Sequence, residues 1–268
     1  MHTFFKHSLP VLLALLLGAT APARAGLVLA DWQFAESAAT TLNNTVNSGA
    51  GLNGPGSSWN VAITGVGSDG AGQLLLANDG KGGSGTRSAY ADFGPAFDQI
   101  SSGTLSLLVR LGSWGGAPAG AGQSIWFDFI EGNDFLGAGM ELAADGAGFH
   151  LGGRIDPFGD GGALAGGASF TSAAPLTLRL DLHLDTLRYG LGYDAGAGFV
   201  SLGVAYMDSL TEGINSLRLG SAGDFSANPL ALDRLWVEWE ATSVPEPASP
   251  ALLLAGLLAA ACLRRRSA

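Results

Sequence analysis

Leu176-Thr177-Leu178-Arg179-Leu180-Asp181-Leu182-His183-Leu184-Asp185-Thr186-Leu187-Arg188-Tyr189-Gly190-Leu191-Gly192-Tyr193-Asp194 is the stretch that decides the fold. Leucine holds every even position from Leu176 to Leu184, against Thr177, Arg179, Asp181, His183 and Asp185. After Thr186 the phase flips. Leu187, Tyr189, Leu191 and Tyr193 then alternate with Arg188, Gly190, Gly192 and Asp194. Successive side chains of an extended chain point to opposite faces, so period two over this length reads as a strand with one face on a core and one in water. The two runs predict an antiparallel hairpin turning near Asp185-Thr186, with Arg188 placed to pair with Asp181 or Asp185 across it.

The same alternation recurs on both sides of the hairpin. Leu105, Leu107, Val109 and Leu111 alternate with Thr104, Ser106, Leu108 and Arg110. Near the end, Leu235, Val237 and Trp239 point one way, and Arg234, Trp236, Glu238 and Glu240 the other. About a dozen strands are expected in all, among them residues 27–34, 59–64, 123–130, 198–205 and 216–220. Glycine makes up 42 of the 268 residues, about twice ordinary usage. It clusters between the β-like runs, as in Gly65 to Gly70, Gly80 to Gly85 and Gly161 to Gly167, and marks turns rather than a periodic repeat. No amphipathic helix longer than two turns is legible. Many strands, glycine turns and no helices predict an all-β, antiparallel two-sheet sandwich.

Both ends of the chain differ from this body. At the N-terminus Lys6, flanked by His2 and His7, precedes an apolar run from Leu9 to Leu17, and Ala23-Arg24-Ala25 fits a small-x-small cleavage site before Gly26. Residues 1–25 are therefore expected to be a signal peptide that engages the Sec export machinery; an uncleaved anchor is the alternative. At the C-terminus Val244-Pro245-Glu246-Pro247 is a stiff, extended segment, since each proline fixes its own φ and keeps its predecessor out of the helical region. The uncharged, Leu- and Ala-rich run from Ala248 to Leu263 follows, then Arg264-Arg265-Arg266. As a helix rising about 1.5 Å per residue, that run spans roughly 24 Å against a hydrocarbon core of about 30 Å. Local thinning and snorkelling arginines close the difference. The basic cluster stays cytoplasmic and leaves the body outside.

This tail resembles the PEP-CTERM sorting signal of exported Gram-negative bacterial proteins: a Pro-Glu-Pro motif, one short hydrophobic span and a terminal Arg cluster. The resemblance implies recognition by exosortase, a membrane peptidase that processes near the motif, and a link to exopolysaccharide and biofilm. Carried over by position, Val244, Pro245, Glu246 and Pro247 are the sorting motif and Arg264, Arg265 and Arg266 the stop-transfer cluster. A plain tail-anchoring helix behind a Pro-rich spacer explains the span and the arginines, but leaves the PEP spelling to chance. The expected organisation is a signal peptide at 1–25 with cleavage at Ala23, Ala25 and Gly26, a sandwich at 26–243, and a sorting signal with a single transmembrane helix at 244–268.

Charge and cysteine usage narrow the partners. The chain carries 13 basic and 23 acidic residues, a formal charge of −10. Lys6, Arg24 and Arg264 to Arg266 lie in the two end segments, so the body is more acidic than the whole. Such a body disfavours nucleic acid and anionic lipid as partners. It suits solubility outside the cell and contact with matrix bridged by divalent cations. The single cysteine, Cys262, sits in the hydrophobic tail, where it is an apolar filler or a lipidation site. The body has no disulfide and must be held by its core.

The order of the β runs resembles the concanavalin A-like lectin/glucanase jelly roll in its laminin-G-like form. In that fold the first strand, here Leu27-Val28-Leu29-Ala30-Asp31-Trp32-Gln33-Phe34, lies beside the last, here Leu232 to Ala241. The hairpin from Leu176 to Tyr193, followed by Asp194-Ala195-Gly196-Ala197-Gly198, resembles the segment of these domains that ends in a tight turn. Laminarinase-type glucanases of this fold carry Glu-x-Asp-x-x-Glu on one strand, the first Glu being nucleophile and the last general acid. Trp126-Phe127-Asp128-Phe129-Ile130-Glu131 matches the second and third places but puts tryptophan at the first. Retaining hydrolysis needs two carboxyl groups about 5 Å apart, and tryptophan forms no glycosyl ester.

Other chemistry is thin. Only His150 and His183 lie in the body, with no histidine pair at ligand spacing and no nucleophile elbow. Catalytic residues and a transition-metal site are therefore not expected. Glu131-Gly132-Asn133-Asp134 and Asp156-Pro157-Phe158-Gly159-Asp160 are acidic loops with the oxygen ligands that calcium takes, or simply solvated turns. Trp126 and Asp128 share a face and form a candidate glycan contact, as does Trp236 opposite the Leu235/Val237/Trp239 stripe; Trp59 and Trp114 are further stacking candidates. Sheet packing and solvated charge are the plain alternatives. The reading is an exported, exosortase-sorted, non-enzymatic protein of the cell surface or extracellular matrix associated with exopolysaccharide. A lectin-like carbohydrate-binding module is the second reading, and a degenerate glucanase the third.

Overall fold

Every leucine of the stripe from Leu176 to Leu184 is buried, and the residues between them are half-buried or exposed. The computed structural model describes residues 26–38, 66–76, 86–114, 123–132, 136–144, 148–155, 161–162, 164–171, 175–225 and 229–242. The strand expected at 59–64, the loop at 156–160, Trp59 and both end segments lie outside the described residues, and the Trp114 side chain is not described. Among the described residues the chain forms fourteen strands and one short 3-10 turn. They are β1 (Leu27–Trp32), β2 (Val66–Ser68), β3 (Leu74–Leu76), β4 (Thr86–Asp92), β5 (Thr104–Trp114), β6 (Ser124–Glu131) and β7 (Leu136–Ala144). The remainder are β8 (Phe149–Arg154), β9 (Ala168–Phe170), β10 (Leu176–His183), β11 (Arg188–Asp194), β12 (Val200–Tyr206), β13 (Ile214–Ala222) and β14 (Leu230–Glu240).

All pairings are antiparallel. One sheet runs β12-β11-β10-β5-β14-β3-β2, with β1 also on β14; the other runs β4-β13-β6-β7-β8-β9. The first and last strands are neighbours, Trp32 opposite Leu235 and Leu27 opposite Trp239. This is an antiparallel two-sheet jelly-roll sandwich of the concanavalin A-like class.

The core lies between the sheets. From the larger sheet come Leu105, Leu107 and Val109 of β5, the β10 leucines, and Leu235 and Val237 of β14. From the smaller come Ile125, Phe127 and Phe129 of β6, Met140 and Leu142 of β7, and Leu217 and Leu219 of β13. Phe93 and Phe129 meet edge to face at 6.3 Å between centroids. Burying one such leucine or phenylalanine contributes about 1.5–3 kcal/mol. With no cysteine in the body, this packing is what opposes chain entropy.

The hairpin forms where its sequence places it, with Leu180 opposite Leu191 and His183 opposite Arg188. Its turn is a 3-10 turn at Leu184–Thr186 closed by Leu187 in the left-handed region at φ 49°. The expected Arg188 ion pair does not form. Asp181 accepts from the Arg179 Nε–H at 2.8 and 2.9 Å and from the Ser106 hydroxyl at 2.6 Å. Asp185 accepts from the Gly103 amide and the Thr242 hydroxyl. Arg188 reaches outward instead, donating to the Tyr206 hydroxyl at 2.9 Å on β12. Asp181 is thus held from β5 and from β10 itself, and Asp185 from Gly103 just before β5 and Thr242 beyond β14.

Candidate functional site

β6 departs most from the strand pattern, because it is buried on both faces. Ile125, Phe127 and Phe129 face the core. Trp126, Asp128 and Ile130 face outward, yet they are 7%, 0% and 0% exposed. Neighbouring strands supply the cover. A Cβ at Gly220 on β13 would collide with the Trp126 indole, so the ring lies across a strand that has no side chain there. On the β7 side, Gly139 opposite Asp128 is likewise bare, and a Cβ there would collide with the carboxylate.

Two arginines close over this pair. Arg218, opposite Asp128 on β13, donates to its Oδ2 from Nε at 2.9 Å and from a terminal nitrogen at 2.5 Å. Arg154 of β8 brings its Nε to 3.2 Å from Asp128 Oδ1, though not in line for a hydrogen bond, and its Nη1 to 3.5 Å from Glu141 on β7. The Arg154 guanidinium also lies 4.8 Å from the Trp126 ring centroid, and Arg218 lies 5.9 Å from Tyr90 of β4. Burial pushes the Asp128 carboxyl above the ordinary carboxylate range, while Arg154 and Arg218 pull it back. Net, Asp128 holds the Arg218 guanidinium above its ordinary value in spite of its burial.

Trp126 and Asp128 thus share a face, as their spacing predicts, but form the floor of that face rather than its surface. Glu141 and Arg154, each about a third or less exposed, and partly exposed Tyr90 stand around it, with open space above Gly152. Glu131 is elsewhere. It is 4% exposed, and its Oε2 accepts from the Thr211 amide and hydroxyl at 3.0 Å and from the Glu212 amide at 3.4 Å. Those bonds make it the anchor of the loop before β13. Asn133, Asp134 and the second acidic loop lie outside the described residues. Among the described residues no group of three His, Cys, Asp or Glu could hold a metal ion.

Trp236 lies on the outer face of the other sheet, opposite Leu108 on β5 and Asp31 on β1. The Arg234 guanidinium stacks 4.7 Å from its centroid and makes a two-pronged pair with Asp31 at 2.7 and 2.9 Å. Cation–π contact of this kind is worth about 0.5–1 kcal/mol at exposed sites. Trp126 and Trp236 therefore each carry an arginine on one ring face. Sequence reasoning missed Arg154, Arg218, Tyr90 and Glu141. The only signal for them was outward parity on their own strands, and which of those side chains meet depends on the register of five strands.

The described residues contain no helix long and apolar enough to cross a membrane, and the tail expected to do so lies outside them. No curated protein matches the chain in sequence. Among solved structures it is similar to the CBM2 module of the Lactobacillus casei BL23 phage J-1 evolved Dit, at TM-score 0.50 and 11% identity, over 80% of this chain and 96% of that one. It is also similar to an endo-1,3-beta-glucanase from Streptomyces sioyaensis, at 0.49 and 17%, over 82% and 98%. A lectin from Bauhinia forficata in complex with GalNAc follows at 0.43 and 10%, over 65% and 89%. At such identities the likeness is one of fold. The C-terminus is matched as sequence: residues 243–266 are a PEP-CTERM protein-sorting motif.

Proposed function

We propose that this chain is an exported, exosortase-sorted protein of the cell surface or extracellular matrix that associates with polysaccharide and does no chemistry on it. The sorting motif at residues 243–266 carries the reading, because such a motif implies an exported protein with a C-terminal membrane anchor that exosortase processes. Val244 to Pro247 are the recognition segment and Arg264 to Arg266 the stop-transfer cluster. Residues 1–25 are the leader, cleaved between Ala25 and Gly26, and 26–243 the cargo. The acidity of that cargo suits an extracellular setting without requiring one.

Three observations count against hydrolysis. Retaining hydrolysis needs a free carboxylate nucleophile facing a carboxylic acid. Trp126 occupies the first of those places, and Asp128 is fully buried beneath two guanidinium groups. Glu131, in the place of the acid, is committed to Thr211 and Glu212. The outer face built on Trp126 and Asp128, and edged by Tyr90, Glu141 and Arg154, is the first surface on which a glycan would be sought. Trp236 and Arg234 are the second. Calcium enters this reading only through the loops outside the described residues.

Affinity electrophoresis of the full-length chain in detergent, through gels cast with laminarin, hydroxyethylcellulose or alginate, tests the proposal. Retardation by at least one polymer, with no reducing ends released, is the expected result. Migration unaffected by all three would overturn the polysaccharide partner. Hydrolysis of laminarin abolished by Glu131→Gln would overturn the non-enzymatic reading.

A further inference from the structure

The outward face of the larger sheet carries a further feature, on the other sheet from Trp126 and two strands along the row that runs Trp236, Leu108, Arg179. Along β10 the outward residues are Arg179, Asp181 and His183, and on β11 the residues opposite the first two are Gly192 and Gly190. Beyond them on β12 stand Ser201 and Val204. Two adjacent outward positions on the middle strand therefore have no side chain. They leave a depression of about 260 Å³ between a polar wall and an apolar wall made by Phe199, Val200 and Val204. Arg188 closes one end by stacking 4.7 Å from the Tyr206 ring, and Arg179 leans toward Phe199 at 5.9 Å. Among the described residues the exposed large apolar side chains are Leu27, the three of this wall, Phe199 at 50%, Val200 at 44% and Val204 at 57%, and Tyr206 at its end at 58%. None of the last four belongs to the core, so folding does not account for them.

We propose that this trough is a separate carbohydrate site that seats a pyranose ring of a polysaccharide. The inference rests on the polysaccharide reading above and adds a surface to the two named there. A pyranose has an apolar C–H face and a rim of hydroxyls, and the two walls match that division. Phe199 and Val204 take the face of the ring, while Arg179, Asp181 and His183 meet the hydroxyls through charge-assisted hydrogen bonds. The polar wall is ordered in advance. The Arg179 Nε–H is held by Asp181, Asp181 by the Ser106 hydroxyl, and His183 lies 3.3 Å from the Thr104 hydroxyl. Such preorganisation spares the ordering cost of binding. The volume lies just under the range of about 300–1,000 Å³ typical of pockets for drug-sized ligands, which suits one or two rings of a chain passing through.

An extended peptide added to the β12 edge fits less well. The Gly162 amide already donates to the Tyr206 carbonyl at 2.8 Å, and a Cβ at Gly166 would collide with the Leu202 carbonyl, so that edge is occupied. With a glycan surface on each sheet, one chain would bridge two polymer strands, and linkage of two weak sites multiplies retention on a matrix.

The test uses the same gels with Phe199→Ala and Gly190→Leu. Phe199 is half exposed, so its truncation spares the fold. A Cβ at Gly190 meets Val204 at an ordinary 3.6 Å, so the larger side chain fills the trough without moving backbone. Both variants should be held about tenfold more weakly by the polymer that retards the parent, with unchanged melting temperature and molar mass by light scattering. Retention equal to the parent's would overturn the trough and leave polysaccharide binding elsewhere intact. No retention of the parent on any polymer would overturn both readings together. A fall in molar mass in the variants would assign the patch to a second copy of the chain and overturn the sugar site.

Discussion

Asp128 illustrates what a single residue does in this sandwich. Its carboxylate has no exposure, and it is tolerable there because Arg218 and Arg154 bring opposite charge to 2.5 and 3.2 Å. Arg218→Met would leave the carboxylate facing only the poorly aligned Arg154. Breaking a buried pair from one side costs about 3–5 kcal/mol, since the remaining charge is stranded. The expected outcome is a fall of that size in urea-unfolding free energy, whereas truncating Arg110, the largely exposed partner of Asp233, should cost under about 1 kcal/mol. Equal, small effects for both would mean that Asp128 is neutral or hydrated in the folded protein. The shared face of Trp126 and Asp128 was legible, because it follows from a separation of two along a strand. Their burial was not. It comes from Arg154 and Arg218, two strands away on one side and one on the other, and no local pattern marks those arginines as lids rather than solvated charges.

At the scale of elements, the long alternating strands were readable and the short ones were not. β5, β10, β11 and β14 carry their own period, whereas β2, β3 and β9 have three residues each and owe their form to a neighbour's ladder. Leu74–Leu76, for example, is a strand because Leu230 to Leu232 pairs with it. The same limit explains Arg188. The hairpin itself was legible, but the arginine's partner comes from β12, whose register lies outside the hairpin's sequence. Tyr189 joins elements that local reading kept apart. Its hydroxyl donates to the Gly162 carbonyl at 3.2 Å, and its ring packs where a Cβ on Gly153 of β8 would meet it at 2.8 Å, so it ties the two sheets at their open side. Burial pushes its phenol above the ordinary value of 10.0. Below about 10 both folded and unfolded forms keep the proton and the contribution is intact. As pH rises further the unfolded chain ionises first, so the stability that Tyr189 supplies is lost up to its folded value. The ultraviolet titration difference between the parent and Tyr189→Phe should report a phenol that ionises above 10, together with a shallower alkaline loss of stability in the variant. A difference step at or below 10 would contradict the contact.

At the scale of the whole molecule, the fold and the sorting motif were legible, while the binding surfaces were not. Alternation, glycine turns and the lack of helices sufficed for the sandwich, because each strand announces its buried side. The C-terminal motif sufficed for the sorting class, since its three parts are contiguous in sequence. A glycan site on such a body has no contiguous signature. The trough on β10, β11 and β12 appears only when Arg179, Gly192 and Ser201 fall in one row, and Asp181, Gly190 and Val204 in the next. The account as a whole depends on two ends that serve delivery and a folded cargo left outside. The most direct measurement is the intact mass, with both terminal sequences, of the native protein recovered separately from cells and from medium. The account predicts a chain beginning at Gly26 and cut near Val244 to Pro247, found at the surface or in the medium. A chain in the cytoplasm that keeps both Met1 and Ala268 would contradict it.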